Sequence, residues 1–293
     1  MSMSPANHIP IVDICNLTDF RDDDILVSRF AEYLQAHHNL IKPHRHTFYH
    51  LLLFTKGGGS HTIDFSSFPV QPYQIYFMVP GQVHSWDFAG EVDGYVVNFS
   101  TSFFQSFLLR PDYLETFSFF NGIAEDSVVN LSAELQVPVA KIFEEILQHS
   151  THNNTFRWDI VRVLLLRAFL EIDKHTHSNK LPSIPFFNYT LLKNFQKLVE
   201  KHYISLKRPM DYAELLYITP NHLNALCKEH LGITAGEVIR NRVLLEAKRM
   251  LVNQNLSISE ISYTLNFSDN SYFTKFFKKY EHITPEDFRK KSS

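Results

Sequence analysis

Four histidines early in the chain, His44, His46, His50 and His84, are of a type and spacing able to hold a ligand or a metal ion. KPHRHTFYH places the first three at intervals of two and four, so a regular strand puts them on one face, and MVPGQVHSW supplies the fourth. Neutral imidazoles bind iron, manganese, nickel or zinc. The same residues, with Trp86, also suit contact with an organic effector, and a purely structural place in a core is the third role. Residue type and spacing leave all three open. Phe48, Tyr76, Phe77, Trp86 and Tyr95 are aromatic candidates for a core or for a pocket wall.

A second constellation lies near the other end. In FSDNSYFTKFFKKYEHITPEDFR, residues 267 to 289, Phe273, Phe276, Phe277 and Tyr280 recur at spacings of three and four. This predicts a helix with a buried aromatic stripe, leaving Asn270, Ser271, Thr274, Lys275 and Lys278 mostly on other faces. The stretch echoes TPNHLNALCKEHLGITAGEVI at an offset of 50, with one extra residue near the start of the second copy. Leu223, Leu226, Cys227, Ile233, Thr234 and Glu237 map onto Phe273, Phe276, Phe277, Ile283, Thr284 and Asp287 with their physical roles kept. Leu231 against Glu281 is the exception.

The elements that must hold these residues are legible in outline. Short apolar runs punctuated by Gly and Pro (HLLLFTK, SHTIDF, QIYFMVP, DGYVVNF) predict a compact β unit between about Ile25 and Phe99. Between Leu131 and Lys174 the apolar period changes to three and four and predicts two helices. Ile160, Val163, Leu164, Arg167 and Leu170 are expected on one face of the second, available for dimerisation or docking. Residues 175–189, polar and proline-rich, read as a linker. The domain limits expected are therefore 1–130, 131–174, 175–189 and 190–293. In the last, short helices at Tyr212 to Leu216 and Ile258 to Leu265 each precede a longer one, a duplicated helix-turn-helix pattern bridged by a long helix from Arg240 onward. Thr219-Pro220, Thr284-Pro285, Thr234 with Glu237 and Ser257 with Glu260 mark helix starts. An all-α scaffold with no nucleic-acid role is the competing explanation of this pattern.

Composition limits the function classes. The formal charge of the 293 residues is -3, yet residues 191–293 carry 16 Lys or Arg against 11 Asp or Glu, so any DNA contact belongs at that end. Cys15 and Cys227 lie too far apart in sequence for a metal or redox motif. The start MSMSPANHIP lacks a basic, then apolar, leader and no apolar run is long enough to span a bilayer, so a cytoplasmic protein is expected.

From about residue 190 to 290 the chain resembles the DNA-binding domain of the AraC/XylS-type transcriptional regulators. The resemblance rests on Arg242, Ala247, Leu251, Ile258, Ile261, Phe267, Ser271, Tyr272, Phe273, Phe277, Lys278, Thr284, Pro285 and Arg289. Asn266 and His282 stand where the family favours glycine, and Ser262 where it favours alanine. Residues 25–100 resemble the cupin-like sensory domains fused to such regulators. The implied fold is α+β in two domains: an N-terminal cupin-like β-barrel followed by helices, and a C-terminal all-α domain with two helix-turn-helix motifs joined by a long helix. The resemblance implies that Asn221, Asn224 and Ala225, and Asn270, Ser271, Thr274 and Lys275, approach DNA bases. Asn pairs with adenine, Lys donates to guanine, and methyl groups pack on thymine. Lys228, Lys278 and Lys279 are assigned to phosphates.

The resemblance further implies a regulator, most simply an activator and not an enzyme, acting as a homodimer on promoter DNA and contacting RNA polymerase. No membrane partner is expected. No cofactor is expected either, because regulators of this type take organic effectors; a divalent metal on His44, His46, His50 and His84 is the alternative. A barrel that serves dimerisation alone, and a metal-dependent cupin enzyme fused to a DNA-binding domain, are the competing functions.

Overall fold

The computed structural model describes residues 9–17, 24–104, 107–110, 113–177, 186–252 and 256–291. In chain order the elements are β1 (Ile11–Val12), β2 (Ile25–Arg29), α1 (Phe30–Ala36), β3 (His44–His46), β4 (Tyr49–Lys56), β5 (Gly59–Ile63), β6 (Ser66–Pro69), β7 (Gln74–Met78), β8 (Val83–Phe88), β9 (Asp93–Phe99) and β10 (Val128–Asn130). Helices follow: α2 (Ala133–Thr151), α3 (Arg157–His177), α4 (Phe186–His202), α5 (Pro209–Leu215), α6 (Pro220–Leu231), α7 (Ala235–Val252), α8 (Ile258–Thr264), α9 (Asn270–Glu281) and α10 (Pro285–Lys291). One compact unit spans Pro10–Lys180 and a second contains Leu181–Ser293.

In the first unit the strands form two five-stranded sheets, ordered β1-β3-β8-β5-β6 and β10-β7-β4-β9-β2, the two layers of the expected cupin-like β domain. The central strands of the second sheet, β7, β4 and β9, are buried on both faces, which explains the almost continuous apolar run of β4. Leu52, Phe54, Tyr76 and Val96 face the interior between the sheets, with Phe30, Ile63 and Trp86. Their neighbours Leu51, Leu53, Ile75, Phe77, Tyr95 and Val97 face the other way and join Val139, Ile142, Phe143, Leu165, Phe169 and Ile172 of α2 and α3 in one core. Phe77 and Tyr95 are therefore not pocket wall; Phe48, Tyr76 and Trp86 do face the interior.

That shared core corrects two expectations. No boundary falls at residues 130/131, because α2 and α3 cover the sheet rather than stand apart from it. The face proposed for dimerisation is also divided: Leu164 lies in the core and Ile160 packs against it, whereas Val163 and Leu170 are 54% and 51% exposed. Arg167 is exposed too and pairs with Glu171 at 2.8 Å. The expected linker is shorter than 175–189, since α3 runs to His177 and α4 opens at Phe186; its central residues 178–185 lie outside the described part.

The second unit is two small cores on one long helix. Ala235 and Ile239 of α7 belong to a cluster with Leu191, Phe195, Tyr212, Leu223, Leu226 and Cys227. Val243, Leu244, Ala247 and Leu251, further along α7, belong to another with Ile261, Phe267, Phe273 and Phe277. The helix begins at Ala235, five residues before the expected Arg240, because Thr234 and Glu237 form a reciprocal cap (Thr234 N–H to Glu237 Oε2 2.7 Å, Glu237 N–H to Thr234 Oγ1 3.2 Å). Arg242 locks α7 to α4 through Glu200 at 2.8 Å, and Lys207 donates to the carbonyls of Leu265 at 2.6 Å and Asn266 at 3.1 Å, tying the first half to the second.

Candidate functional site

The two helix-turn-helix copies match through their second helices. Helices α6 and α9 have the same length at the offset of 50, and both end in a left-handed residue, Gly232 at φ 72° and His282 at φ 63°. Thr219 and Asp269 cap their starts by accepting from His222 N–H and Tyr272 N–H. The tight turns before them use Tyr217 and Asn266, each at φ 56°. The Leu231/Glu281 exception has a local cause: Leu231 packs on the first core, whereas Glu281 pairs with Lys248 of α7 at 3.1 Å.

Residues 221, 224, 225 and 228, and likewise 271, 274, 275 and 278, follow the one-face spacing of a helix, away from Leu223/Cys227 and Phe273/Phe277. Asn221, Ala225, Lys228, Ser271, Lys275, Lys278 and Lys279 are exposed and Thr274 is half-buried. Two expected base readers are placed otherwise. Asn224 is half-buried, and its Oδ1 accepts from Ala235 N–H at 3.1 Å, one of the unpaired donors that open α7. Reading adenine with both amide atoms would have to use the remaining lone pair of Oδ1 while the first holds that bond. Asn270 sits at the first position of α9 with its Oδ1 buried and unpartnered. The exposed side chains His222 and Tyr272, beside the same faces, were missed as candidates; their matching positions at the offset of 50 were the available signal.

Between the sheets of the first unit, five imidazoles converge. Strand alternation turns His44 and His46 of β3 inward, with Arg45 on the other side; His84 of β8 stands opposite His44 in the ladder. His50 comes from β4 in the facing sheet. His61, not anticipated as a site residue, projects from β5 opposite Trp86. All five are at most 3% exposed.

Their nitrogens are closely spaced. His46 Nε2 stands 3.1 Å from His44 Nε2 and 2.8 Å from His84 Nε2. His44 Nδ1 donates to the carbonyl of Lys42 at 2.8 Å, which leaves its Nε2 as a lone pair. His84 Nδ1 lies 3.0 Å from His61 Nε2, and His50 Nδ1 donates to Asn98 Oδ1 at 2.6 Å. His46 Nδ1, His50 Nε2, His61 Nδ1 and Trp86 Nε1 are buried without a partner. Burial pushes the pKa of His44 down to about 4 and that of His50 to about 3. Burial, reinforced by neighbouring imidazoles, holds His46, His61 and His84 well below the ordinary value. All five are therefore neutral near pH 7, the ligand form.

Comparison with known proteins bears on both sites. Residues 27–165 match the family model described as AraC-like ligand binding domain, and residues 212–291 match that of a helix-turn-helix domain. The chain is 35% identical over 98 residues to the HTH-type transcriptional regulator GlxA of Rhizobium meliloti, covering 32% of this chain and 30% of that protein. It is 21% identical over 274 residues to the HTH-type transcriptional activator RhaR of Escherichia coli K12, covering 92% of this chain and 93% of RhaR. Fatty-acid-bound ToxT of Vibrio cholerae, a solved structure, aligns at 14% identity and a TM-score of 0.44 over 92% of this chain and 97% of its own. The chain thus spans less than two thirds of the first relative it matches and nearly all of another. With one model on the histidine-bearing unit and the other on the duplicated helical unit, the chain joins an AraC-like ligand binding domain to a helix-turn-helix domain.

Proposed function

We propose that the protein is a sequence-specific DNA-binding transcriptional regulator, an activator governed by a small molecule bound between the sheets of its first unit. The observation that carries this reading is the repetition of one exposed polar and basic face on α6 and α9, each held by its own core on the shared helix α7. One such face offers few base-directed side chains. Two, about one turn of DNA apart (~34 Å), read successive major grooves. The outer side of α3, with Val163, Arg167 and Leu170, is the surface for a homodimer, and the setting is the cytoplasm, with RNA polymerase as partner at the promoter. The first unit is a sensor, not an enzyme.

Selection of bound sequences from random duplexes, using the whole protein, tests the reading. Lys278→Ala, at an exposed phosphate-facing position, should weaken matched and scrambled duplexes alike and lower the salt slope by about one unit. Lys275→Ala should instead relax preference at one base pair by ~1–3 kcal/mol. Failure to enrich any sequence, or loss of preference alone in Lys278→Ala, would overturn the assignment.

A further inference from the structure

We propose that His44, His46 and His84 form a binding site for a divalent transition-metal ion through their Nε2 atoms. The three ligand nitrogens lie within 4.8 Å of one another on buried side chains. Two nitrogens bound cis on an ion at ~2.0–2.1 Å stand roughly 2.9–3.4 Å apart, between right-angle and tetrahedral arrangements. His46 Nε2 meets both neighbours near that spacing, at 3.1 Å and 2.8 Å.

The surroundings aim the ligands. The Lys42 carbonyl takes the Nδ1 proton of His44, and His61 Nε2 is placed to take that of His84, so both present Nε2 lone pairs to the centre. His61 is thus a positioning residue. Adjacent to the three, His50 carries a buried, unpartnered Nε2 with its Nδ1 anchored on Asn98, and its ring centroid lies 4.7 Å from that of His46. An all-imidazole set selects zinc, nickel, copper or iron over magnesium and calcium, which take oxygen ligands.

Charge defines what accompanies the ion. The ligands are neutral, and among the described residues no Asp or Glu is buried in this unit, so the ion keeps its positive charge. An anionic small molecule on the open coordination positions balances it. This deepens the effector reading of the first unit and rests on it for the ion's regulatory role alone.

The test uses the whole chain, stripped with a chelator, and Co(II) as probe without DNA. The expected result is one ion per chain, visible absorption bands of a nitrogen-ligated ion, and a shift of those bands on adding azide. His46→Ala and the closer-shaped His46→Gln should weaken binding at least ~100-fold, and His61→Ala should do so by ~10–100-fold with rescue by His61→Gln, which retains an acceptor. The exposed His152→Ala is the control. A protein with native circular dichroism that takes up no Co(II), uptake unchanged in both His46 variants, or bands indifferent to azide would overturn the proposal. Duplex binding, measured separately, reports on the regulator reading, which survives a negative metal result.

Discussion

Asn224→Ala separates structure from readout on the first recognition helix. The substitution removes the acceptor of Ala235 N–H, a bond of 3.1 Å to a residue that is 0% exposed, leaving a buried donor at the start of α7. Such a loss costs ~1–3 kcal/mol, and in a domain of this size ~1 kcal/mol moves the melting temperature by about 4–8 °C. Base preference should stay as it is, with affinity lowered evenly across sequences because α6 and α7 are less firmly joined. The second copy is an internal control: Thr274 stands where Asn224 does, but its counterpart to Ala235 is Pro285, which has no N–H to satisfy. Thr274→Ala should therefore leave stability within ~0.5 kcal/mol. Thermal unfolding paired with binding to single-base operator variants checks both statements. An Asn224→Ala protein of unchanged melting temperature that loses discrimination at one base pair would show that Asn224 reads DNA and that the hydrogen bond to Ala235 is dispensable.

Two further outcomes follow from the geometry. His282→Gly should stabilise the second motif and Gly232→Ala should destabilise the first, each by about 1 kcal/mol in unfolding experiments, because both sites are left-handed and a Cβ at Gly232 meets nothing within 4 Å, so backbone conformation alone sets the sign. Val163→Glu with Leu170→Glu should yield a folded monomer by sedimentation, whereas Leu164→Glu should lower thermal stability outright, since it buries a charge in the core; a folded, monomeric Leu164→Glu protein would refute that division of the helix.

The helical unit was legible because its information is local. Caps such as Ser257 with Glu260 act over three residues, and the offset between copies predicts paired cores before any contact is known. The exceptions are contacts made across turns: Asn224 reaches Ala235, eleven positions on, and no pattern of polarity announces it. In the first unit the apolar run of β4 marked a buried strand, but what covered each face was undetermined until α2 and α3 were seen to close one side. His61 was hidden for a similar reason. It lies in a glycine-led segment that reads as an ordinary hairpin arm, and its place beside His84 depends on the ladder register of β5 with β8. The cupin-like β-barrel was an inference from resemblance, and the pairing of the strands resolves it into two five-stranded sheets.

The alternation of β4 has a consequence for how far news of a bound molecule must travel. His50 points to the imidazole cluster and Leu51, the next residue, into the core beneath α3. Successive strand residues are ~3.3 Å apart along the chain. On the proposed reading, in which the small molecule sits at the imidazoles, a single peptide plane separates it from the seat of the helices, so a displacement of the backbone there moves both sides together.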